Sequence, residues 1–299
     1  MRTLVTGGAG FIGTNLIKRL LKDGHDVISM DNYSTGKKEN HQDGCKYLMF
    51  NCIDEEGWKQ VKEFWGTNTP DVIFHLAARA RIKPSIENPH RTFQSNVIGT
   101  EKVLEYARSK DIPVVYASSS SVHGDVHANP YTFTKWQGEE LCKLYYNVFN
   151  LPLVICRFYN VYGTYQLTEG DYCCVLGIFE RQYKNGESLT ITGDGEQRRD
   201  FTHVDDIVDG LIRCSNVLLM KSTLPESVLS GSTETFELGN GGNYSINEVA
   251  DVFGDYPREY IEARKGEMRV TLNTDNKAQN LLGWKPKGNI IRFIKENLI

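Results

Sequence analysis

Short runs of apolar and β-branched residues recur along the first half of the chain: TLVT at 3–6, DVISM at 26–30, KYLMF at 46–50, DVIFHL at 71–76, VVYAS at 114–118 and LVICRF at 153–158. Between the first two, Leu16, Ile17, Leu20 and Leu21 recur at helical spacing and form one apolar stripe. A further helix is predicted from about Thr92 to Ser109, and another from Tyr131 to Asn150. Strands that alternate with helices predict an α/β fold, a doubly wound parallel sheet covered on both faces.

After about Arg157 the rhythm changes. A glycine-rich stretch, a short strand SLTIT and Gly/Ser-rich connections near 230–233 and 239–242 predict a smaller C-terminal lobe. The division falls at residues 1–160 and 161–299, with some later segments returning to the first domain, and TLPESVLSGSTE at 223–234 reads as a surface loop. With 40% hydrophobic and 24% charged residues the chain can bury a substantial core. A net charge of -4 and a pI near 6.0 give no broad basic surface, which argues against nucleic acid and anionic membranes as partners. No apolar run is long enough to span a bilayer, the N-terminus lacks a signal-peptide core, and seven cysteines without C-x-x-C spacing suit a reducing cytoplasm and no metal site.

The first candidate chemistry is TGGAGFIG at 6–13, where Gly7, Gly10 and Gly13 follow a strand and open a helix. Missing β-carbons there let the backbone approach a pyrophosphate seated at the helix N-terminus, the fingerprint of a Rossmann-type dinucleotide site. Asp31 ends the second strand, where a carboxylate accepts hydrogen bonds from the adenosine ribose and repels a 2′-phosphate, so NAD is expected rather than NADP.

The second is ASSSSVHGDVHANPYTFTKW at 117–136, with Tyr131 and Lys135 one helical turn apart. A phenol with an ordinary pKa of about 10 is a poor base at neutral pH, but a nearby ammonium stabilises the phenolate. The same ammonium can reach the nicotinamide ribose, and a serine at the end of the preceding strand can orient a substrate hydroxyl.

With these motifs in place the chain resembles the extended short-chain dehydrogenase/reductases of the NAD-dependent epimerase/dehydratase family, most of all the UDP-sugar 4-epimerases. The resemblance rests also on DNYSTG at 31–36, HLAA at 75–78, SNVIGT at 95–100, RFYNVYG at 157–163, GDGEQRRDFTHVDD at 193–206 and ARKGE at 263–267. It implies Tyr131 as the base, Lys135 as its partner and Ser119 as the family's serine or threonine. Around NAD it places Phe11, Ile12, Asn32, Ser34, Thr35, Gly36, Cys52, Ile53, Leu76, Ala77, Ala78 and Asn96, besides the three glycines and Asp31. Ser118, Ser120, Ser121 and His75 are expected to be structural. For the substrate it implies Arg199 and Arg264 on the diphosphate, Glu267 on the nucleoside ribose, Asn160 on the sugar phosphate, and the backbone at Thr190 to Thr192 along a uracil. Thr271 would face the sugar's C2 substituent, with room for an N-acetyl group.

The resemblance also bears on the reaction. Family 4,6-dehydratases carry an Asp-Glu pair where Ser120 and Ser121 stand, and decarboxylases keep a glutamate, so serines imply redox at C4 alone: oxidation to a 4-keto sugar, rotation, and return of hydride to the other face. It further implies a homodimer built on the helices near 92–109 and 131–150, and few charged groups at the sugar. Cys52 stands where the family carries an adenine-binding aspartate, and the link from Gly124 to Pro130 is short, which predicts a more open pocket. Two other readings remain: a net reductase or dehydrogenase on a nucleotide sugar, and an NAD-binding relative without chemistry.

Overall fold

In the computed structural model, residues 1–66, 68–219, 234–264 and 266–299 are described. The strands are β1 (Arg2–Thr6), β2 (Asp26–Met30), β3 (Cys45–Leu48), β4 (Val72–His75), β5 (Val114–Ser119), β6 (Leu153–Phe158), β7 (Asn160–Tyr162), β8 (Leu189–Thr192), β9 (Arg198–His203), β10 (Glu234–Leu238), β11 (Asn243–Ser245) and β12 (Arg258–Ile261). The helices are α1 (Phe11–Lys22), α2 (Glu55–Phe64), α3 (Ile82–Glu87), α4 (Pro89–Phe93), α5 (Gly99–Lys110), α6 (Pro130–Phe149), α7 (Val175–Asn185), α8 (Val204–Leu219), α9 (Ile246–Asp251), α10 (Lys277–Leu282) and α11 (Ile290–Asn297).

Seven parallel strands form one sheet in the order β10-β6-β5-β4-β1-β2-β3. The order reverses at β1, and the crevice beyond the strands' C-terminal ends at such a point is where doubly wound sheets bind ligands. One face is sealed by Leu16, Ile17 and Leu20 of α1 with Ile207, Leu211 and Cys214 of α8. The other is sealed by Val61 of α2, Val103 and Leu104 of α5, and Cys142 of α6. Covered on both faces, β4 is buried at every residue and β1 at every residue after Arg2. A third core, with Tyr162, Phe179, Ile191, Phe201, Val249 and Ile294, holds together the segments after β6. Two chain segments from the second half return to the sheet, α8 on its face and β10 at its edge.

Three expectations are revised. KYLMF keeps only its first three residues within β3, and Met49 turns out 63% exposed. The helix expected from Thr92 begins earlier, at Pro89, because Asn88 caps it by accepting a hydrogen bond from Arg91 N and proline suits the first helical position. It is also interrupted by a π-helical turn at Gln94–Ile98. The loop expected at 223–234 lies outside the described residues except for Glu234, which opens β10. Among the described residues no helix is long and apolar enough to cross a membrane.

Candidate active site

The turn from β1 to α1 has space for glycine only. Gly7 adopts φ +75°, and a Cβ on it would stand 2.8 Å from the Ala77 nitrogen; on Gly13 it would stand 2.2 Å from the Gly7 carbonyl oxygen. Gly10 starts α1 without any side-chain cap, so the first-turn N–H groups are left for an anion. Asp31 is buried, its carboxylate oxygens accepting from Ala9 N at 3.0 Å and Tyr33 N at 2.8 Å. Burial raises its pKa, opposed by these two backbone bonds. Asn32 closes the following turn by accepting from Ser34 N.

Gly7, Gly10, Phe11, Ile12, Gly13, Asp31, Asn32, Ser34, Thr35, Cys52, Leu76, Ala77 and Ala78 all line one cavity. Asp31 supplies the one carboxylate among its lining residues. Burial pushes the Cys52 thiol up to about 12, so this wall is neutral where an aspartate was the family's choice. These features fit a dinucleotide: a glycine cradle, an uncapped helix start and a fixed ribose acceptor.

Three of the expected residues do not line it. Gly36 packs behind Asp31, where a Cβ would come 3.0 Å from Oδ1. Ile53 sits in the turn before α2, away from the lining. Asn96 is buried, and its amide is fully engaged: Oδ1 accepts from Arg79 N at 2.8 Å, while Nδ2 donates to Arg79 O and Thr134 Oγ1. Its task is to fix the strand-end loop, and the π turn aims it there.

At the reacting end, β5 stops at Ser119, whose Oγ accepts from Ser121 N at 3.2 Å and whose hydroxyl acts to lower the pKa of the Tyr131 phenol. Asn129 caps α6 by accepting from Thr132 N, and Tyr131 N donates to Ser85 Oγ, so both ends of the first turn are pinned. Burial raises the Tyr131 pKa, opposed by the Ser119 hydroxyl and the charge of Arg81. Lys135, one turn further along α6, is buried. Its Nζ donates to the Ala117 carbonyl at 2.7 Å and lies 5.2 Å over the Tyr116 ring, because that carbonyl is the nearest acceptor for a buried ammonium. Burial brings its pKa down to about 8.

Behind the serines lies an ion network that the sequence reading missed. Ser118 Oγ donates to Glu139 at 2.5 Å, and Arg157 donates to Glu139 at 2.6 and 2.8 Å and to Glu237 at 3.0 Å. Its sequence signal was Glu139 itself, four residues past Lys135 on the same helix face. His75 is buried between Thr6 and Thr100 hydroxyls at 2.7 and 3.0 Å, in the structural role expected.

A second cavity, of ≈ 460 Å³, has Ser119, Tyr131, Lys135, Asn160, Thr190, Thr192, Arg199, Arg264, Glu267 and Thr271 in its walls. That volume suits a small organic ligand. It adjoins the first: Phe11, Ile12, Leu76 and Ala78 line both. Arg199 and Arg264 share Glu267 as counter-ion, each at 3.6 Å. The backbone around Thr190 is partly occupied, since Thr190 N donates to Gln182 Oε1 and Thr192 O accepts from Gln197. Thr271 is buried in the cavity wall, accepting from Asp200 N and Asn160 Nδ2 at 3.1 Å each, whereas Leu272 is 41% exposed and outside it.

Two expectations about the sugar end are corrected. The short link after Gly124 does not leave that side open, because Met268 packs on Gly124 and Asn129 Nδ2 donates to Gly266 O. Nor is the sugar end poor in charge: Arg81 lines both cavities and its charge reaches Tyr131. The signal for it was in the sequence, two arginines in AARAR directly after a parallel strand, where loops carry ligands.

A glycine-cradled cleft opening onto a Ser-Tyr-Lys wall defines a dinucleotide-dependent oxidoreductase type of protein. A family model described as the NAD dependent epimerase/dehydratase family matches residues 3–217. The chain is 34% identical to the UDP-glucose 4-epimerase of Mycolicibacterium smegmatis, covering 96% of this chain and 94% of that one. It is 32% identical to UDP-glucuronic acid decarboxylase 4 of Arabidopsis thaliana, covering 96% of this chain and 65% of the relative. Its fold is similar to the UDP-glucose 4-epimerase of Thermotoga maritima solved with UDP-glucose, with TM-score 0.85 at 28% identity over the whole of both chains. The protein belongs to the NAD-dependent epimerase/dehydratase family, whose cofactor is NAD.

Proposed function

We propose that the protein interconverts C4 epimers of a UDP-hexose. The carrying observation is that Ser119, Tyr131 and Lys135 share a cavity whose only lining carboxylates among the described residues, Asp171 and Glu267, are ion-paired to Lys83 and to Arg199 and Arg264. No carboxylate lines the wall beside Ser119, so acid and base for eliminating water or carbon dioxide are lacking there. Gly7, Gly10, Gly13 and Asp31 would hold the NAD, which supplies a reversible acceptor for the hydride of C4. Tyr131 takes and returns the C4 hydroxyl proton, Ser119 orients that hydroxyl, and Lys135 holds positive charge beneath them. Arg199 and Arg264 grip the diphosphate while the sugar turns. The lobe division after residue 160 belongs to the same reading, since the substrate would sit between residues from both sides of it. Incubation with UDP-glucose, UDP-galactose and their 2-acetamido counterparts, followed by separation of the products, tests the proposal. Epimers from the acetamido pair would support Thr271 as a permissive wall, whereas accumulation of NADH would point to a net dehydrogenase.

Asp31 carries a cofactor prediction. Asp31→Ala is expected to weaken NAD binding about tenfold and to narrow the preference over NADP, because a charged acceptor at the ribose is lost. Cys52→Ala should change binding by less than half of that on a logarithmic scale, since its thiol is neutral. Titration of both variants with both dinucleotides checks this, and a wild-type preference for NADP would refute it.

A homodimer is part of the proposal. Ile98, Leu144, Val148 and Phe149 are 45–58% exposed on the helical stretch 94–110 and on α6, which pack side by side. Light scattering at micromolar concentration should give twice the chain mass, and Leu144→Glu with Val148→Glu should halve it. Cys156 and Cys214 stand 3.5 Å apart as free thiols, which supports a reducing, cytoplasmic setting.

A further inference from the structure

The loop after β4 carries two arginines that no carboxylate among the described residues answers: Arg79 lines the dinucleotide cavity alone, where the pyrophosphate of NAD can answer it, while Arg81 lines both cavities and faces the substrate as well. Arg79 and Arg81 follow β4 and are held firmly in place. Asn96 clamps the Arg79 backbone at both its N–H and its carbonyl, and Arg81 leads into α3, where Ser85 holds the first turn of α6. The two guanidinium groups meet only neutral partners. Arg81 Nε donates to the carbonyls of Tyr172 and Cys173 at 2.9 and 3.3 Å, and Nη1 to that of Ala80 at 2.9 Å. Arg79 Nη1 donates to the Tyr172 hydroxyl at 2.9 Å, and its buried Nε has no partner. Among the described residues no carboxylate lies within 4.0 Å of either, and Arg81 Nη2 is without a hydrogen bond.

The other arginines of this region have carboxylate partners: Arg157 meets two glutamates, and Arg199 and Arg264 share the single carboxylate of Glu267. A half-buried cation without counter-charge is costly, so an anion from solution that completes it binds with advantage. Resting on the epimerase reading, we infer that the sugar carries a carboxylate, making the substrate a nucleoside diphosphate hexuronate, and that Arg81 recognises the acid. A planar guanidinium fork matches a carboxylate. The position fits as well, since Arg81 lines the cavity together with Tyr131, whereas the arginines assigned to the diphosphate come from the C-terminal half of the chain.

Calorimetric titration of the NAD-loaded protein with UDP-glucuronate, UDP-glucose and UDP tests the inference. Wild type is expected to bind UDP-glucuronate at least about tenfold more tightly than UDP-glucose, the worth of a charge-assisted hydrogen bond. Arg81→Gln should bring that ratio to about one, and Arg81→Lys, which keeps charge but not the fork, should fall between. A wild-type ratio of one or less overturns the inference. So does an Arg81→Gln or Arg81→Lys variant that weakens all three ligands by the same factor, because Arg81 would then serve a diphosphate or the 172–173 backbone. Failure of UDP itself to bind would instead remove the UDP-sugar reading beneath it.

Discussion

Tyr131→Phe is expected to lower epimerisation by about 10²–10⁴-fold while fold and bound NAD remain. The substitution removes one oxygen from a half-buried ring and changes nothing that positions it. Ser85 holds the Tyr131 backbone nitrogen, Asn129 caps the helix, and Thr134 back-bonds to the Tyr131 carbonyl. What disappears is the hydroxyl itself, with little change in stability. Cofactor content by absorbance, thermal melting and the rate of epimer formation separate the outcomes. Wild-type turnover in the variant would remove Tyr131 from the chemistry, and loss of NAD would assign it to cofactor retention instead. The phenol's pKa is raised by burial, so proton acceptance depends on positive charge nearby. Arg81 is the cation acting on it in this structure, and this gives the residue a bearing on rate as well as on recognition.

Much of the architecture was legible because its causes are local. The strands β1, β2, β4, β5 and β6 are apolar at their centres and buried on both faces, and the glycine cradle leaves no space for a β-carbon. The Tyr-Lys spacing is a helical turn, and a helix formed. What stayed hidden depends on contacts between distant segments. Nothing in SNVIGT says that Asn96 turns away from the cleft, because that follows from a π turn and from the Arg79 backbone 17 residues earlier. The short link after Gly124 looked like an opening until Met268 came to lie on it. Arg79 and Arg81 were visible as residues, but their lack of counter-charge is a property of everything that packs around them. The family pattern drew attention to the arginines of the C-terminal half, and those share a carboxylate, Glu267, which Arg79 and Arg81 lack.

Lys135→Met should abolish most activity yet leave the protein as stable at neutral pH, or more so. The ammonium is buried, and burial lowers its pKa to about 8, so carrying a charge there costs the folded state about 3 kcal/mol relative to an ordinary lysine. Methionine has nearly the same length and fills the site without a charge. The opposing loss is the Nζ bond to the Ala117 carbonyl at 2.7 Å and the contact with the Tyr116 ring. Each is worth about 1–2 kcal/mol, so the balance favours the variant or stands even. The pH dependence carries the sign. Between about 8 and 10.4 the unfolded chain holds a proton on Lys135 that the folded protein has released, so wild-type stability gains from this residue as pH rises through that interval. Below about 8 both states are protonated and the penalty is present in full. Urea unfolding of both proteins at pH 7 and pH 10 reads the difference, in which the other titrating groups cancel. The variant's advantage should be greatest at pH 7 and shrink toward pH 10. A variant less stable than wild type by more than about 2 kcal/mol at pH 7 would mean that the carbonyl and ring contacts outweigh desolvation. Lys135 would then be a structural pin, and the charge that catalysis needs would have to come from Arg81.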